Sequence, residues 1–171
     1  MAETGRRQER LQPSLLDRLT DDEPQKQVEA RERRVLSIGK LREGVKRDLS
    51  WLLNCGNLEA AQDLSAFPLA ARSVLNYGVP DLAGRTAASA DLREVERALR
   101  QAIWDFEPRI LRNSLSVRAV ESADDASHNV IAFEIEGELW AEPVPLHLLL
   151  RTEFDLEAGS ARVTESRGSG G

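Results

Sequence analysis

Residues 91–119 read DLREVERALRQAIWDFEPRILRNSLSVRA, and within them the hydrophobic period changes. Up to Phe106 the apolar residues Leu92, Val95, Leu99, Ala102, Ile103 and Phe106 recur three and four apart, the stripe of a helix that buries one face. Asp91 precedes the stripe as an N-cap, with Glu94 three residues on in capping-box spacing. Pro108 ends the helix, because the residue before a proline is pushed out of helical geometry. From Leu111 the period is two. Leu111, Leu115, Val117 and Ala119 alternate with Arg112, Ser114, Ser116 and Arg118, as in a strand with one wet face.

The same two periods extend outward. Upstream, Ile38, Leu41, Val45, Leu49, Leu52 and Leu53 form a second helical stripe over about 35–54, opposite Lys40, Arg42, Glu43, Lys46, Arg47 and Asp48. Trp51 and Trp104 fall beside the two stripes and are expected in the core. Asn54-Cys-Gly56 is expected to stop the first helix in left-handed geometry. Phe67-Pro68 and the turn-rich stretch 73–84 connect the helices. Downstream, after a polar turn at 122–127, Ile131, Phe133, Ile135 and Leu139 alternate with Ala132, Glu134, Glu136 and Glu138. A third alternation places Leu146, Leu148, Leu150, Thr152, Phe154 and Leu156 opposite His147, Leu149, Arg151, Glu153 and Asp155, and 161–164 can add a short last strand.

The expected fold is therefore α+β: two main helices on one face of a small, mainly antiparallel sheet of three to four strands, with an N-terminal helical extension. Residues 1–34 form the charged extension. It carries a short docking helix in which Leu15, Leu16 and Leu19 share a face after Pro13 and Ser14, and which persists only by docking. Residues 35–165 form a single domain, and 166–171 (SRGSGG) read as a disordered tail. The strand over 146–156, or its neighbour, is expected to offer an edge for pairing with another chain.

Composition narrows the chemistry. The 171 residues carry 23 Lys and Arg against 29 Asp and Glu, a net charge of −6, which gives no general attraction for phosphate backbones or anionic lipid. Nucleic-acid binding and membrane insertion are not expected. Cys55 is the sole cysteine, so no internal disulfide or thiolate metal cluster forms, and His128 and His147 sit in no metal-ligand spacing. No metal or cofactor is expected. Residues 1–10 lack the apolar run of a signal peptide, and no stretch is long and apolar enough to span a bilayer.

Catalytic candidates are few. Glu107 is the best single carboxylate, at the helix end beside Phe106. Glycoside cleavage needs two carboxylates, one of them a proton donor, and Arg109 two residues on would pair with Glu107 instead. The Glu107-Pro108-Arg109 corner thus reads either as an internal salt bridge or as a contact for a partner, Arg109 offering a planar bidentate fork. Cys55 follows a helix C-terminus, where the helix dipole disfavours a thiolate. No nucleophile elbow or Walker loop exists. Trp140 breaks its strand's alternation and is a candidate anchor for a partner.

The order of motifs strongly resembles the TssE family, small baseplate subunits of bacterial type VI secretion systems. These are similar to the "lysozyme-like" baseplate wedge proteins of contractile phage tails. The resemblance rests on Leu15-Leu-Asp-Arg-Leu19, Asp48-Leu-Ser-Trp-Leu-Leu-Asn54, Phe67-Pro68, Ser73-Val-Leu-Asn-Tyr-Gly78-Val-Pro-Asp-Leu82, Glu107-Pro-Arg109 and Leu139-Trp-Ala-Glu-Pro-Val-Pro145. It implies a non-enzymatic structural protein without cofactor, cytoplasmic, at the membrane-docked baseplate. In the family the subunit joins TssF and TssG, with TssK attached, in wedges around the VgrG spike hub, where the TssB–TssC contractile sheath begins. The family's Glu-Pro-Arg motif maps onto Glu107, Pro108 and Arg109 and is associated with gripping the helical core formed by the larger wedge subunits. The partner-binding residues expected are these three with Leu15, Leu16, Leu19 and Trp140. A peptidoglycan-cleaving enzyme and a tail-wedge protein of a phage or phage-derived particle are the alternatives.

Overall fold

A computed structural model of the chain describes residues 14–20, 38–82, 91–120, 129–141 and 144–166. The expectations for 1–13, 21–37, the turn at 122–127, His128 and the tail beyond Ser166 lie outside these residues.

Four helices and four strands are described. They are α1 (Leu15–Leu19), α2 (Ile38–Leu53), α3 (Pro68–Ala71), α4 (Leu92–Phe106), β1 (Ser116–Val120), β2 (Val130–Leu139), β3 (Leu146–Asp155) and β4 (Ser160–Glu165), with short 3-10 turns at Leu58–Ala60 and Val74–Asn76. The strands form one antiparallel sheet in the order β1-β2-β3-β4. The expected α+β architecture, with its N-terminal helix, is the one observed.

The periodicities explain which faces meet. Leu41, Val45, Leu49, Leu52 and Leu53 of α2 and Val95, Leu99, Ala102 and Ile103 of α4 are buried. They join one core with Val117, Ile131, Phe133, Ile135, Leu139, Leu148, Leu150, Phe154 and Val163 from the sheet. Phe133 and Phe154 meet edge to face across the β2–β3 pair at 5.7 Å. Asp91 caps α4 through the N–H groups of Arg93 and Glu94.

Several expectations need correction. β1 begins at Ser116, not Leu111, because 111–114 form a turn anchored by the Ser114 hydroxyl on Leu111 O (2.8 Å). Ile38 is the first residue of α2 and is exposed. Trp51 lies outside the core, half exposed. It shares a face of α2 with Gly44 and Arg47, and the Arg47 guanidinium lies 5.1 Å from its ring centre. Trp104 is only partly buried. No left-handed residue closes α2 at Gly56. The positive φ falls on Gly78 (128°), whose position leaves no room for a Cβ: one would stand 2.3 Å from Cys55 O. Gly78 lets the connection over 73–82 run beside the end of α2, where Val79 N–H donates to Cys55 O (2.8 Å) and Asn57 N–H to Val79 O (3.0 Å).

The 146–156 strand is not an edge. β3 pairs with β2 on one side and β4 on the other, so among the described residues the sheet's edge strands are β1 and β4.

A candidate partner-binding corner

The C-terminal end of α4 builds the corner. Glu107 takes the C-cap position in the non-helical geometry that Pro108 imposes, and its N–H still donates to Ile103 O (2.9 Å). Pro108 is exposed, whereas Glu107 is 3% exposed. A buried carboxylate needs a cation and donors. Arg109 supplies both: its Nε donates to Glu107 Oε1 (2.7 Å), its Nη2 to Oε2 (2.5 Å), and its backbone N–H to Oε1 (3.2 Å). Arg109 Nη2 also donates to Asp48 Oδ2 on α2 (2.5 Å). Burial works against the charge on Arg109, but Glu107, and then Asp48, outweigh it and hold the guanidinium above its ordinary pKa.

The pairing continues towards the N-terminus. Arg47 bridges Asp48 Oδ1 (2.8 Å) and Asp17 Oδ1 (2.6 Å), and the Ser14 hydroxyl donates to Asp17 Oδ2 (2.6 Å) while accepting from the Asp17 N–H (3.2 Å). Ser14 and Asp17 thus form a reciprocal cap for a helix too short to stand alone. Gly44 is the seat. Its absent side chain leaves room where Asp17 and Arg109 converge; a Cβ there would touch Asp17 Oδ2 at 3.4 Å and Arg109 Nη1 at 3.6 Å. α1 therefore docks by its acidic side, and its leucines face solvent, Leu15 at 70%, Leu16 at 43% and Leu19 at 74% exposure.

Trp140 arrives from the sheet. Its backbone N–H donates to Arg109 O (2.8 Å), and Leu111 N–H donates to Glu138 O (2.8 Å), so the end of β2 is stitched to the corner while the indole is 54% exposed. All seven residues expected at partner contacts are thus described, and one run of hydrogen bonds links Glu107 and Arg109 to Trp140 and to α1. Of the two readings of the Glu107–Arg109 pair, the internal salt bridge is the one formed. Asp48, Arg47, Asp17 and Gly44 complete the corner and were not singled out from sequence. Nothing local to Asp17, Arg47 or Asp48 signals partners thirty and sixty-one residues away.

A groove of about 510 Å3 lies between α4 and the connection from Asn57 to Pro80, and its lining includes Glu59 and Asp105. Asp105 accepts from Gln101 Nε2 (2.8 Å) and pairs with Arg72 (3.4 Å). His147 is exposed and meets Glu136 at 3.1 Å, a contact that, with the weaker influence of Arg118, holds the Glu136 carboxyl below its usual range. Among the described residues no group of three or more His, Cys, Asp or Glu could hold a metal ion, and no helix is long and apolar enough to cross a membrane.

A helix pair over a four-stranded sheet, with the Glu107 carboxylate sealed into a salt bridge beside exposed apolar side chains, defines a small α+β domain. Comparison with protein families specifies which: the model for the baseplate wedge protein gp25 family matches residues 39–144. The chain belongs to this family, which includes TssE, and the resemblance read from the motifs is borne out. No curated protein and no solved structure gives a match.

Proposed function

We propose that the chain is a non-enzymatic structural subunit of a type VI secretion baseplate. In this reading it joins TssF, TssG and TssK in the wedge around the VgrG spike, at the cytoplasmic, membrane-docked baseplate, and helps start the TssB–TssC sheath. Family membership supports the structural role. The observation that carries the non-enzymatic reading is the corner itself: Glu107 is 3% exposed and engages both carboxylate oxygens with Arg109. The surface around it is Pro108, Trp140 and the leucines of α1. Exposed aromatic and aliphatic side chains around a rigid polar centre are what an assembly contact requires. The strand-accepting role passes from β3 to its neighbour β4, which has a free edge.

The test is co-purification of the chain with its cognate TssF and TssG. Wild type is compared with Trp140→Ala and with a Leu15→Ser, Leu19→Ser double variant, changes that leave the Glu107–Arg109 pair intact. Loss of a stoichiometric complex in folded variants supports the corner as the contact. If wild type fails to bind where TssF and TssG associate with each other, the baseplate reading falls and a peptidoglycan-cleavage assay comes next.

A further inference from the structure

Helix α4 carries a second pattern, on the face opposite its buried stripe. At about 3.6 residues per turn, Arg93, Arg97, Arg100 and Trp104 fall in one narrow sector pointing away from Val95, Leu99, Ala102 and Ile103. Arg93 and Arg97 are exposed, and Arg100 and Trp104 partly so. The spacing of four, three and four sets one side chain per turn over about 16 Å of helix. The Arg100 guanidinium lies 5.5 Å from the Trp104 ring centre, and Arg112, beyond the helix end, donates through Nη2 to Trp104 O (2.9 Å). The acids of the helix do not answer this stripe. Asp91 caps the first N–H groups, and Glu96 accepts from the Ala119 N–H of β1 (2.7 Å). Asp105 is shared by Gln101, Arg72 and, at 3.9 Å, Arg112, and Glu94 lies on the same flank as Gln101 and Asp105. Among the described residues Arg93, Arg97 and Arg100 enter no ion pair, and Arg97 turns its Nε to Arg93 O (3.2 Å). Two local costs follow. Arg93 stands in the first turn, where the helix dipole disfavours a cation, and Arg93 and Arg97 are like charges one turn apart. In a chain of net charge −6, an uncompensated basic line of this kind breaks the local rules, as functional surfaces do.

We propose that the face of Arg93, Arg97, Arg100 and Trp104 docks an acidic helical segment of another protein, laid antiparallel along α4. Its carboxylates stand three and four residues apart, opposite Arg100, Arg97 and Arg93 in turn, and an aliphatic residue four before the first of them meets Trp104. Charge complementarity selects the occupant. The guanidiniums form a single line one turn apart, and carboxylates on one face of a second helix repeat at the same interval. Arginine at every charged place supplies planar forks that a carboxylate can meet bidentately. The antiparallel direction brings the negative C-terminal end of the partner helix to Arg93 and the N-terminus of α4. Nucleic acid and anionic lipid are extended polyanions, and the chain's overall negative charge repels them at a distance, whereas a short segment with a few carboxylates meets the stripe alone. The stripe uses none of the seven residues of the corner, so this contact is additional to the baseplate reading and independent of it.

The probe is a synthetic alanine-based helical peptide carrying one Leu and three Glu in that spacing, titrated at low salt into the isotope-labelled full chain. It is expected to shift the amide resonances from Arg93 to Trp104 and the Trp104 indole N–H, and to bind more weakly as salt is added. Arg93→Gln with Arg97→Gln, both at exposed positions, should weaken binding at least about tenfold and leave the rest of the spectrum unchanged. An isomeric peptide with its glutamates spread around the helix should bind several-fold more weakly than the spaced one. Absence of shifts on α4, equal binding of the two peptides, or wild-type affinity in the double variant overturns the proposal. Tighter binding of an oligothymidylate or of phosphatidylglycerol vesicles than of the spaced peptide overturns it too, because the stripe then reads polyanions. The comparison of the two peptides is made on wild type and decides the question even where the double variant fails to fold. No baseplate component enters the experiment, so a failed co-purification and a failed peptide titration are separate outcomes.

Discussion

Arg109 closes on Glu107, two residues back, through three hydrogen bonds that engage both carboxylate oxygens. The intervening Pro108 bends the chain so that this return is possible, and Asp48 receives the guanidinium's remaining reach on α2. The Glu-Pro-Arg corner therefore ties the end of one main helix to the polar face of the other. The Glu107 carboxylate is therefore paired within the chain itself.

Breaking the pair from one side should be costly. Arg109→Ala strands a buried carboxylate and is expected to lower stability by about 3 kcal/mol or more. Arg109→Lys keeps the charge without the fork and falls between wild type and alanine. Adding Glu107→Gln to Arg109→Ala removes the stranded charge, so the double variant should lose less than the sum of the two single changes. Urea unfolding of wild type, Arg109→Ala, Arg109→Lys, Glu107→Gln and the double variant checks this; strict additivity would mean that the two side chains are not coupled.

The docking of α1 should depend on acid. Burial opposes ionisation of Asp17, but the hydrogen bonds from Ser14 and Arg47 prevail and hold its carboxyl below the usual aspartate range. A carboxyl with a depressed folded-state pKa contributes stability that is present above the unfolded value and lost as pH falls through the folded one. The α1 amide resonances are thus expected to keep their docked positions from neutral pH to about pH 4 and to move to undocked positions only below it. Asp17→Asn should give the undocked spectrum at neutral pH. A spectrum of Asp17→Asn unchanged over α1 would show that the leucine helix is held by something other than this acid.

Two glycines should respond in opposite ways. Gly78→Ala forces a Cβ into the Cys55 carbonyl at a positive φ and is expected to cost at least about 2–3 kcal/mol. Gly56→Ala meets no atom within 4 Å and has no positive φ, so its effect should stay within about 0.5 kcal/mol. Thermal unfolding of the two variants tests whether the left-handed demand has been placed at the right residue.

Much of the fold is legible because amphipathic period is a local property. Leu41, Val45, Leu49 and Leu52 repeat at helical spacing whatever lies opposite them, and Phe133 and Ile135 alternate with charged residues whatever strand adjoins. Trp51 was misplaced for the converse reason. An aromatic ring next to a stripe is apolar by type, but its angular position puts it on the face of Arg47, whose guanidinium lies beside it. Leu111 was drawn into a strand by alternation alone, although Ser114 bonds back to it and makes a turn.

By itself the sequence determined the α+β class, the two buried helical faces, the alternating strands and the motif residues Glu107, Pro108, Arg109, Trp140 and Leu15–Leu19, because each follows from spacing along the chain or from residue type. Only the tertiary structure decided that β3 is interior and β4 an edge, that Arg109 pairs with both Glu107 and Asp48, and that Asn54 bonds to Ala161. Those relations join residues up to 107 positions apart. Hydrogen bonds of that kind are set by which surfaces the packed core brings together, and periodicity carries no record of them.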